Sequence, residues 1–557
     1  VGPYNNPSET YAYYSLPFCT DGKTKLTKQK LGETLSGDRK VQANLYVINF
    51  GVPVEWRSVC AKVLSRKDIA AFQDAIDDKF YFEMFIDGLP LWGYLGKAEG
   101  EGIRLSPIRQ FEDPRVFLYP HLAFTIGYNK DQVVSVNVEM DPTKRVDITE
   151  LDQRAEVLFS YSVQWVPESL EYSKRMTRYV DSRFLPSSFE IHWLSIINSV
   201  VLVLLLTAFL TVIMMRVLKN DFSRYLDVDE EDVGEEETGW KLIHGDVFRH
   251  PKQVNLFSAL MGSGAHLGCT TMLLLLCAVT SVFKVTRRGS ILTTIIMLYC
   301  LTASVGGFVA ARLYRQLGGT KWVLNSITTS LVFPIPLFLV FTFANSVAWH
   351  YGSTARLPFF TITAITCLWV VLAFPLTVIG SIVGRNTSRL FQAPCRTTKV
   401  PREIPKDIPW YHRSPTQMFM SGFLPFSAIY IELHYIFASV WGHQIYTLFG
   451  ILILAFCLLL VVCSFITVAL TYFQLTREDH QWWWRSFLYG GSTGFFIYVY
   501  SFFYFFQRSS MDGLLQGAYY FGYMAIMSYA FFCMLGFVGF YSSLAFVRYI
   551  YSVLKCD

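Results

Sequence analysis

Two ionisable side chains, Glu432 and His434, lie in an apolar stretch at residues 422–441. Ionisable groups within a membrane-spanning segment are costly, and they usually face a cavity or a polar partner. Pro425 lies in the same stretch and would free backbone groups of the helix. Two interpretations remain open: a polar pocket, which could couple to proton transfer, or a hydrogen bond between helices that satisfies these groups.

No catalytic or metal-binding signature accompanies this pair. The sequence contains no His-Glu-x-x-His motif, no P-loop and no cysteine or histidine spacing typical of a zinc site. An intramembrane enzyme is therefore a poor interpretation, because no nucleophile with its base and no metal set is visible. We expect neither enzymatic activity nor a cofactor.

Glycines separated by three residues recur in the apolar part of the chain. The pairs are Gly264 and Gly268, Gly380 and Gly384, and Gly490 and Gly494. This spacing is typical of transmembrane helices whose backbones approach closely. It predicts helix packing, and packing within this chain is favoured over recognition of another protein's helix; a dimer face is a further option.

Two of the eleven cysteines, Cys19 and Cys60, lie in the N-terminal third of the chain. In an oxidising compartment they would be expected to form a disulfide. The alternative is a pair of distant free thiols. The other nine lie mostly in or beside apolar stretches, where cysteine usually serves as a small apolar filler.

The sequence ends in Lys555-Cys556-Asp557, about ten residues after the last apolar stretch. One cation and two carboxylates, including the terminal one, are thereby placed on a short tail. Receptors can read short C-terminal sequences as sorting addresses. Lys555 and Asp557 are therefore a candidate sorting signal.

The composition indicates a membrane protein. Of 557 residues, 52% are hydrophobic and only 16% are charged, whereas typical soluble domains carry about 25% charged residues. A soluble globule of this composition would expose large apolar patches, which monomers rarely do. The net charge of +5 gives no case for nucleic-acid binding, which requires a clustered basic face.

The chain divides at about residue 190. Residues 1–190 contain no apolar run that could span a bilayer, whereas runs of the required length of about 20 residues recur beyond them. The nine predicted spans are 191–215, 257–283, 290–311, 322–345, 357–383, 422–441, 445–473, 486–506 and 516–547. Residues 216–256 are predicted to form an acidic linker, residues 257–547 an eight-helix bundle, and residues 548–557 a tail.

The N-terminal part is predicted to be mainly β-sheet. Apolar residues alternate with smaller or polar ones in 121–128, 134–140 and 157–165, which is typical of half-buried strands in an antiparallel sheet. One segment differs, because Ile69, Phe72, Ile76 and Phe80 recur at helical spacing after a Ser65-x-x-Asp68 capping signature. We therefore expect a β-sandwich-like domain with one helix.

The distribution of Lys and Arg predicts the orientation. With the N-terminal domain outside the cytosol, the cytosolic loops and tail contain 20 of these residues and the opposite loops contain 5. We therefore expect a lumenal N-terminal domain and a cytosolic C-terminus. A translocated domain usually requires a signal peptide, so we expect that one has been removed.

Several segments together resemble the nonaspanin family, also called the transmembrane 9 superfamily or the endomembrane protein 70 family. The matching segments are VGPYNNPSETYAYY (1–14), FEIHWLSIINS (189–199), MRVLKNDFSRY (215–225), FPLTVIG (374–380), FLPFSAIYIELHYIF (423–437) and LTYFQLTREDHQWWWRSF (470–487). The resemblance covers essentially the whole chain. The segment with Glu432 resembles the short-headed subgroup, whereas many other members carry Gln at that position.

This resemblance implies a multi-pass protein of Golgi and endosomal membranes. It also implies that Lys555 and Asp557 bind the coatomer coat, and that the protein associates with glycine-rich transmembrane segments of cargo. The expected function is sorting, trafficking or surface delivery of transmembrane cargo, with no enzyme activity. The alternative is a transporter, a channel or a lipid-handling protein with an intramembrane cavity near Glu432 and His434.

Overall fold

The computed structural model describes most of the chain. The described residues are 1–4, 9–22, 25–27, 29–42, 44–99, 115–150, 156–176, 193–226, 239–283, 289–405, 409–442, 449–509 and 511–553. The candidate sorting signal, Lys555 and Asp557, lies outside them, as does most of the predicted acidic stretch, at 227–238.

The N-terminal domain is rich in β-sheet, as predicted. Its strands in the described residues are β1 (Gly2–Pro3), β2 (Val54–Val63), β3 (Phe80–Ile86), β4 (Leu89–Tyr94), β5 (Gly96–Glu99), β6 (Arg115–Leu118), β7 (His121–Asn129), β8 (Gln132–Met140), β9 (Val146–Asp147) and β10 (Glu156–Pro167). They form sheets of order β1-β3-β4, β2-β10-β7-β8 and β5-β6-β9. Apolar residues from all three sheets pack in or against one core.

The four-stranded sheet differs from the expectation at one pair of strands. β7 and β8 form an antiparallel hairpin, but β10 pairs with β7 in parallel, with Ser160 opposite His121. The prediction of an antiparallel sheet is wrong here because of chain connectivity. β8 ends beside the start of β7, where Met140 is opposite Leu122. The connection to β10 therefore leaves from the end of the sheet at which β7 begins.

The predicted helix is α2 (Arg66–Asp77), which follows the short helix α1 (Leu31–Leu35). The Ser65 backbone N–H donates to the Asp68 carboxylate at 3.0 Å, and the Asp68 N–H donates back to Ser65 Oγ, which satisfies groups that a helix start leaves free. The helix ends before Lys79, whose φ is +54°. Phe80 therefore starts β3 instead of continuing the helix, contrary to the sequence expectation. The buried residues of α2 are Ile69, Phe72, Ala75 and Ile76.

Cys19 and Cys60 form a disulfide, which confirms the predicted pair. Their Cα atoms are 6.2 Å apart. Cys60 lies on β2, and Cys19 is buried in the domain core. The bond therefore holds the N-terminal segment against the sheet.

Beyond residue 192, the described chain is mainly helical. The helices are α3 (Trp193–Leu226), α4 (Val254–Val279), α5 (Ser290–Gln316), α6 (Trp322–Leu331), α7 (Pro334–His350), α8 (Phe359–Leu368), α9 (Phe374–Thr387), α10 (Ser414–Trp441), α11 (Phe449–Thr476), α12 (Trp482–Arg508) and α13 (Gly513–Val553). A wider helical turn at Trp369–Ala373 joins α8 to α9. Each predicted span overlaps one of these helices or a joined pair.

Eight helical segments in the described residues are long and apolar enough to cross a membrane. The α6–α7 pair and the α8–α9 pair each count as one of them. The remaining helix, α12, packs against α10, α11 and α13, but it is rich in glycine, serine and tyrosine and is less apolar. The count of nine spans therefore stays a prediction.

The N-terminal domain contacts one end of the helix bundle. Thr10 Oγ1 lies 2.6 Å from Thr354 Oγ1, and the Arg39 guanidinium donates to the Arg356 carbonyl at 2.7 Å. Gln516, at the start of α13, donates a hydrogen bond to Glu9 of the N-terminal domain. These contacts place the domain over the start of α13 and the loop between α7 and α8.

The opposite end of the bundle is closed by segments 239–253 and 391–402. The indole N–H groups of Trp482 and Trp483 both donate to the Val247 carbonyl, at 2.8 and 3.4 Å. The Tyr551 hydroxyl donates to the Trp240 carbonyl. Segment 239–253 is therefore fixed to the ends of α12 and α13.

One carboxylate, Asp246, joins these two segments. It accepts from the Arg249 guanidinium at 2.6 Å, from Thr398 Oγ1 at 2.9 Å and from the Arg402 backbone N–H at 3.2 Å. Burial would raise the pKa of Asp246, but these hydrogen bonds outweigh burial and hold the pKa below its usual range. Its ionised form therefore stabilises the folded state.

We predict that the disulfide contributes to the stability of the N-terminal domain. Replacing Cys19 and Cys60 with serine should lower the free energy of unfolding by about 2–4 kcal/mol, because the unfolded chain gains conformational entropy. Thermal unfolding of the purified full chain measures the change. Cys367→Ser, at an exposed free cysteine, is the control. Two free thiols at positions 19 and 60 in non-reducing mass spectrometry would contradict the prediction.

A second prediction concerns Asp246→Asn. At neutral pH this change should lower the free energy of unfolding by about 1–3 kcal/mol, because a buried charge-assisted network loses its acceptor. Because the folded-state pKa is lowered, the contribution is present above about pH 4 and is lost as the pH falls below that value. The difference from wild type in thermal unfolding should therefore shrink in acid. Asp131→Asn, at an exposed hairpin turn, should show neither effect.

Candidate intramembrane site

A cavity of about 2040 Å³ lies between the N-terminal domain and the helix bundle. This is larger than the roughly 300–1,000 Å³ of typical small-molecule sites. Its walls come from α4, α5, α6, α7, α8, α10, α11, α12 and α13, and they are mainly apolar. The wider helical turn between α8 and α9 contributes Trp369 to the wall, and such turns occur frequently at functional sites.

Glu432 lines this cavity from α10. Ile429, Glu432, Leu433 and Ile436 all line it, and their spacing places them on one face of the helix. Glu432 is only 6% exposed. Its Oε2 has no hydrogen-bond partner among the described residues. Glu432 therefore places a buried carboxyl group in a mainly apolar wall, and one of its oxygens is buried and unsatisfied.

His434 lies on another side of the same helix. Two residues correspond to a rotation of about 200° around a helix axis, and His434 is not part of the cavity wall. Its Nδ1 lies 3.1 Å from the Tyr500 hydroxyl of α12. The structure thus separates the two residues: Glu432 faces the cavity, whereas His434 makes a hydrogen bond between helices.

The N-terminal domain supplies a polar roof to the cavity, which we define as Glu33, Lys40, Glu83, Trp92 and Arg175. Lys40 Nζ lies 3.1 Å from Glu33 Oε1, and the Trp92 indole donates to Glu83 at 3.1 Å. The Arg175 guanidinium forms an ion pair at 2.7 Å outside the lining, with Asp87. Each polar side chain of the roof therefore has a partner within the domain.

Charge pairing in the roof also lowers the pKa of Glu33. Burial would raise the pKa of Glu33, but the Lys30 backbone N–H and the Lys40 ammonium hold it below its usual range. Glu33 is therefore ionised at neutral pH and paired with Lys40. Sequence reasoning missed the roof, because no local pattern relates residues 33–40 to helices more than 200 residues away.

The glycine pairs lie mostly at contacts between helices of this chain. A Cβ atom at Gly264 would collide with the Cys533 carbonyl of α13, and one at Gly380 would collide with Ser304 of α5. Gly384, Gly490 and Gly494 make equally close approaches, to Phe308, Leu535 and Ser528 respectively. Gly268 differs, since only the Met534 side chain of α13 lies near it, at an ordinary contact distance.

The described residues contain no group of three or more His, Cys, Asp or Glu side chains that could hold a metal ion. The site is therefore best described as an apolar cavity with one unsatisfied carboxyl group and a charge-paired roof. This arrangement can hold an apolar or amphipathic body.

Comparison with known proteins defines the class. The chain matches the family model described as Endomembrane protein 70 over residues 10–514. Over its full length it is 50% identical to Transmembrane 9 superfamily member 4 of Arabidopsis thaliana, covering 93% of that protein. It is 44% identical to Transmembrane 9 superfamily member 1 of Mus musculus, covering 92%. It is 46% identical to "Putative phagocytic receptor 1b" of Dictyostelium discoideum, covering 93%.

The protein is therefore a polytopic membrane protein with a sheet-rich N-terminal domain. It belongs to the Endomembrane protein 70 family, whose relatives include the Transmembrane 9 superfamily members, which confirms the resemblance. None of these names designates an enzyme. No solved structure matches the chain.

The glycine contacts generate a prediction. Gly490→Leu should destabilise the bundle by about 1–3 kcal/mol or more, because the new side chain meets the Leu535 backbone carbonyl. Gly517→Leu is the matched control, since no atom lies within 4 Å of a Cβ placed there. Thermal unfolding of the purified chain, followed by size-exclusion chromatography, compares the two. Equal stability of the two variants would contradict the packing role of Gly490.

Proposed function

We propose that the protein sorts or delivers transmembrane cargo in Golgi and endosomal membranes. Membership of the Endomembrane protein 70 family supports this proposal, as does the relative named as a phagocytic receptor. The single structural observation that carries it is the joining of a folded N-terminal domain to the helix bundle by hydrogen bonds, such as that from Arg39 to the Arg356 carbonyl. A receptor for membrane-embedded cargo needs surfaces in both environments.

The proposed orientation places the N-terminal domain in the lumen. The domain contacts the loop between α7 and α8 and the start of α13, which the distribution of Lys and Arg assigns to the lumenal side. The opposite end contains the basic segment 385–402, as expected for the cytosolic side. The disulfide in the domain also supports an oxidising compartment.

The idea that the glycine pairs recognise a cargo helix has to be revised. Five of the six candidate glycines already make close contacts with helices of this chain. A glycine-rich cargo helix therefore needs another surface of the bundle. In our proposal, the glycines build the bundle and the cargo contacts lie elsewhere.

A second candidate function is lipid handling, and one specific observation favours it. The unsatisfied carboxyl group of Glu432 faces a cavity with mainly apolar walls. A cavity of this kind at membrane depth suits an amphipathic ligand. Of the two residues expected to share this pocket, Glu432 lines it and His434 does not. We therefore propose a pocket that contains Glu432 alone.

We propose that Lys555 and Asp557 bind the coatomer coat and retain the protein in the Golgi. Lys555→Ser combined with Asp557→Ser should move most of the protein out of the Golgi, because the tail loses its cation and its side-chain carboxylate. Fluorescence microscopy of the tagged full chain, with the tag in the N-terminal domain, measures the distribution.

The matched control is Cys556→Ser, which changes the residue between the two charges and leaves both in place. It should remain in the Golgi. Unchanged residence of the double variant would refute the assignment of the tail. Binding of the tail peptide to purified coatomer, lost in the double variant, would support the direct contact.

A further inference from the structure

One oxygen of the Glu432 carboxyl group, Oε2, has no hydrogen-bond partner among the described residues. Burying a polar group without a hydrogen bond is costly, and the cost is larger at membrane depth. The nearby wall residues are apolar, for example Leu433 on α10, Phe456 and Leu459 on α11, and Met524 on α13. A donor on a molecule that enters the cavity would supply the partner that the described residues do not.

The chemistry of Glu432 restricts that molecule. A carboxylate only accepts hydrogen bonds, and a protonated carboxyl group also accepts them, so a donor such as a hydroxyl or ammonium group suits Glu432 in either form. An anionic headgroup would bring an unpaired negative charge into an apolar site, since the cations of the roof, Lys40 and Arg175, already have carboxylate partners. The rest of the molecule must be apolar to match the walls.

The shape of the cavity favours a lipid over a helix. Nine helices and a polar roof line it, so its outline is irregular. Flexible alkyl chains can follow such an outline, whereas a helix keeps a fixed diameter.

We propose that the cavity binds an amphipathic membrane lipid whose hydroxyl or ammonium group donates a hydrogen bond to Glu432. Its apolar part lies against α10, α11 and α13, below the roof. This proposal rests on the second candidate function, lipid handling, and it names the ligand class. It does not depend on the tail signal or on Golgi residence.

The test uses the purified full chain and two photoactivatable, clickable probes of similar chain length. The first is a sphingosine analogue, which carries hydroxyl and ammonium donors, and the second is a palmitic acid analogue, which carries a carboxylate. We expect saturable labelling by the sphingosine probe, at least five times that by the palmitic acid probe. The labelled peptides should come from the cavity faces of α10, α11 and α13.

Variants then test the contact itself. Glu432→Leu should reduce labelling by the sphingosine probe at least fivefold, because the acceptor is removed. The control is His434→Gln, on another side of α10, which keeps a hydrogen-bonding group for Tyr500 and should retain labelling within twofold. Glu432→Gln keeps a neutral acceptor, so retained labelling assigns the contact to the hydroxyl, and a fivefold loss assigns it to the ammonium group.

Two results would overturn the proposal. One is undiminished labelling of folded Glu432→Leu, and the other is equal labelling by the palmitic acid probe. Native mass spectrometry of the wild type needs no variant: a bound lipid with a hydroxyl or amine headgroup supports the proposal, and a bound polypeptide or an empty cavity refutes it. Loss of the lipid site with intact Golgi residence and cargo delivery would leave the sorting function standing.

Discussion

Close approach of helix backbones is the constraint on which the bundle depends. Lipid provides no hydrophobic force between helices, so packing requires small residues that allow backbone contact. Such residues join α12 to α13, α5 to α9 and α4 to α13. On the cavity faces of α7, α8 and α10 the residues are bulky, so these helices cannot approach in the same way. The glycine contacts thus hold a frame, and the cavity remains where they are missing.

Hydrogen bonds couple the N-terminal domain to this frame. Its segment around Thr10 and Arg39 bonds to the loop between α7 and α8, and α1 contacts the start of α5. The disulfide holds the start of the same segment on the sheet. The roof of the cavity is therefore fixed from two sides, by the sheet above and by the helix ends below.

Local patterns predicted the elements well, and long-range arrangement poorly. Apolar runs located the helices, and the Ser65 cap located α2, because both depend on neighbouring residues. The parallel pairing of β10 with β7 depends on where β8 ends, which no alternation pattern contains. The cavity depends on which helices fail to touch, so its roof at Glu33 and Lys40 was not predictable from sequence.

Glu432 and His434 show why a correct choice of residues gave an incomplete site. The sequence singled out both residues because ionisable groups in apolar helices need partners. The two residues meet this need in different ways. His434 meets Tyr500 of α12, so its partner lies within the fold. Glu432 lines a mainly apolar wall, and its Oε2 has no partner among the described residues. Because α10 packs against α12 on one side and lines open space on another, one helix carries both a structural and a candidate binding role.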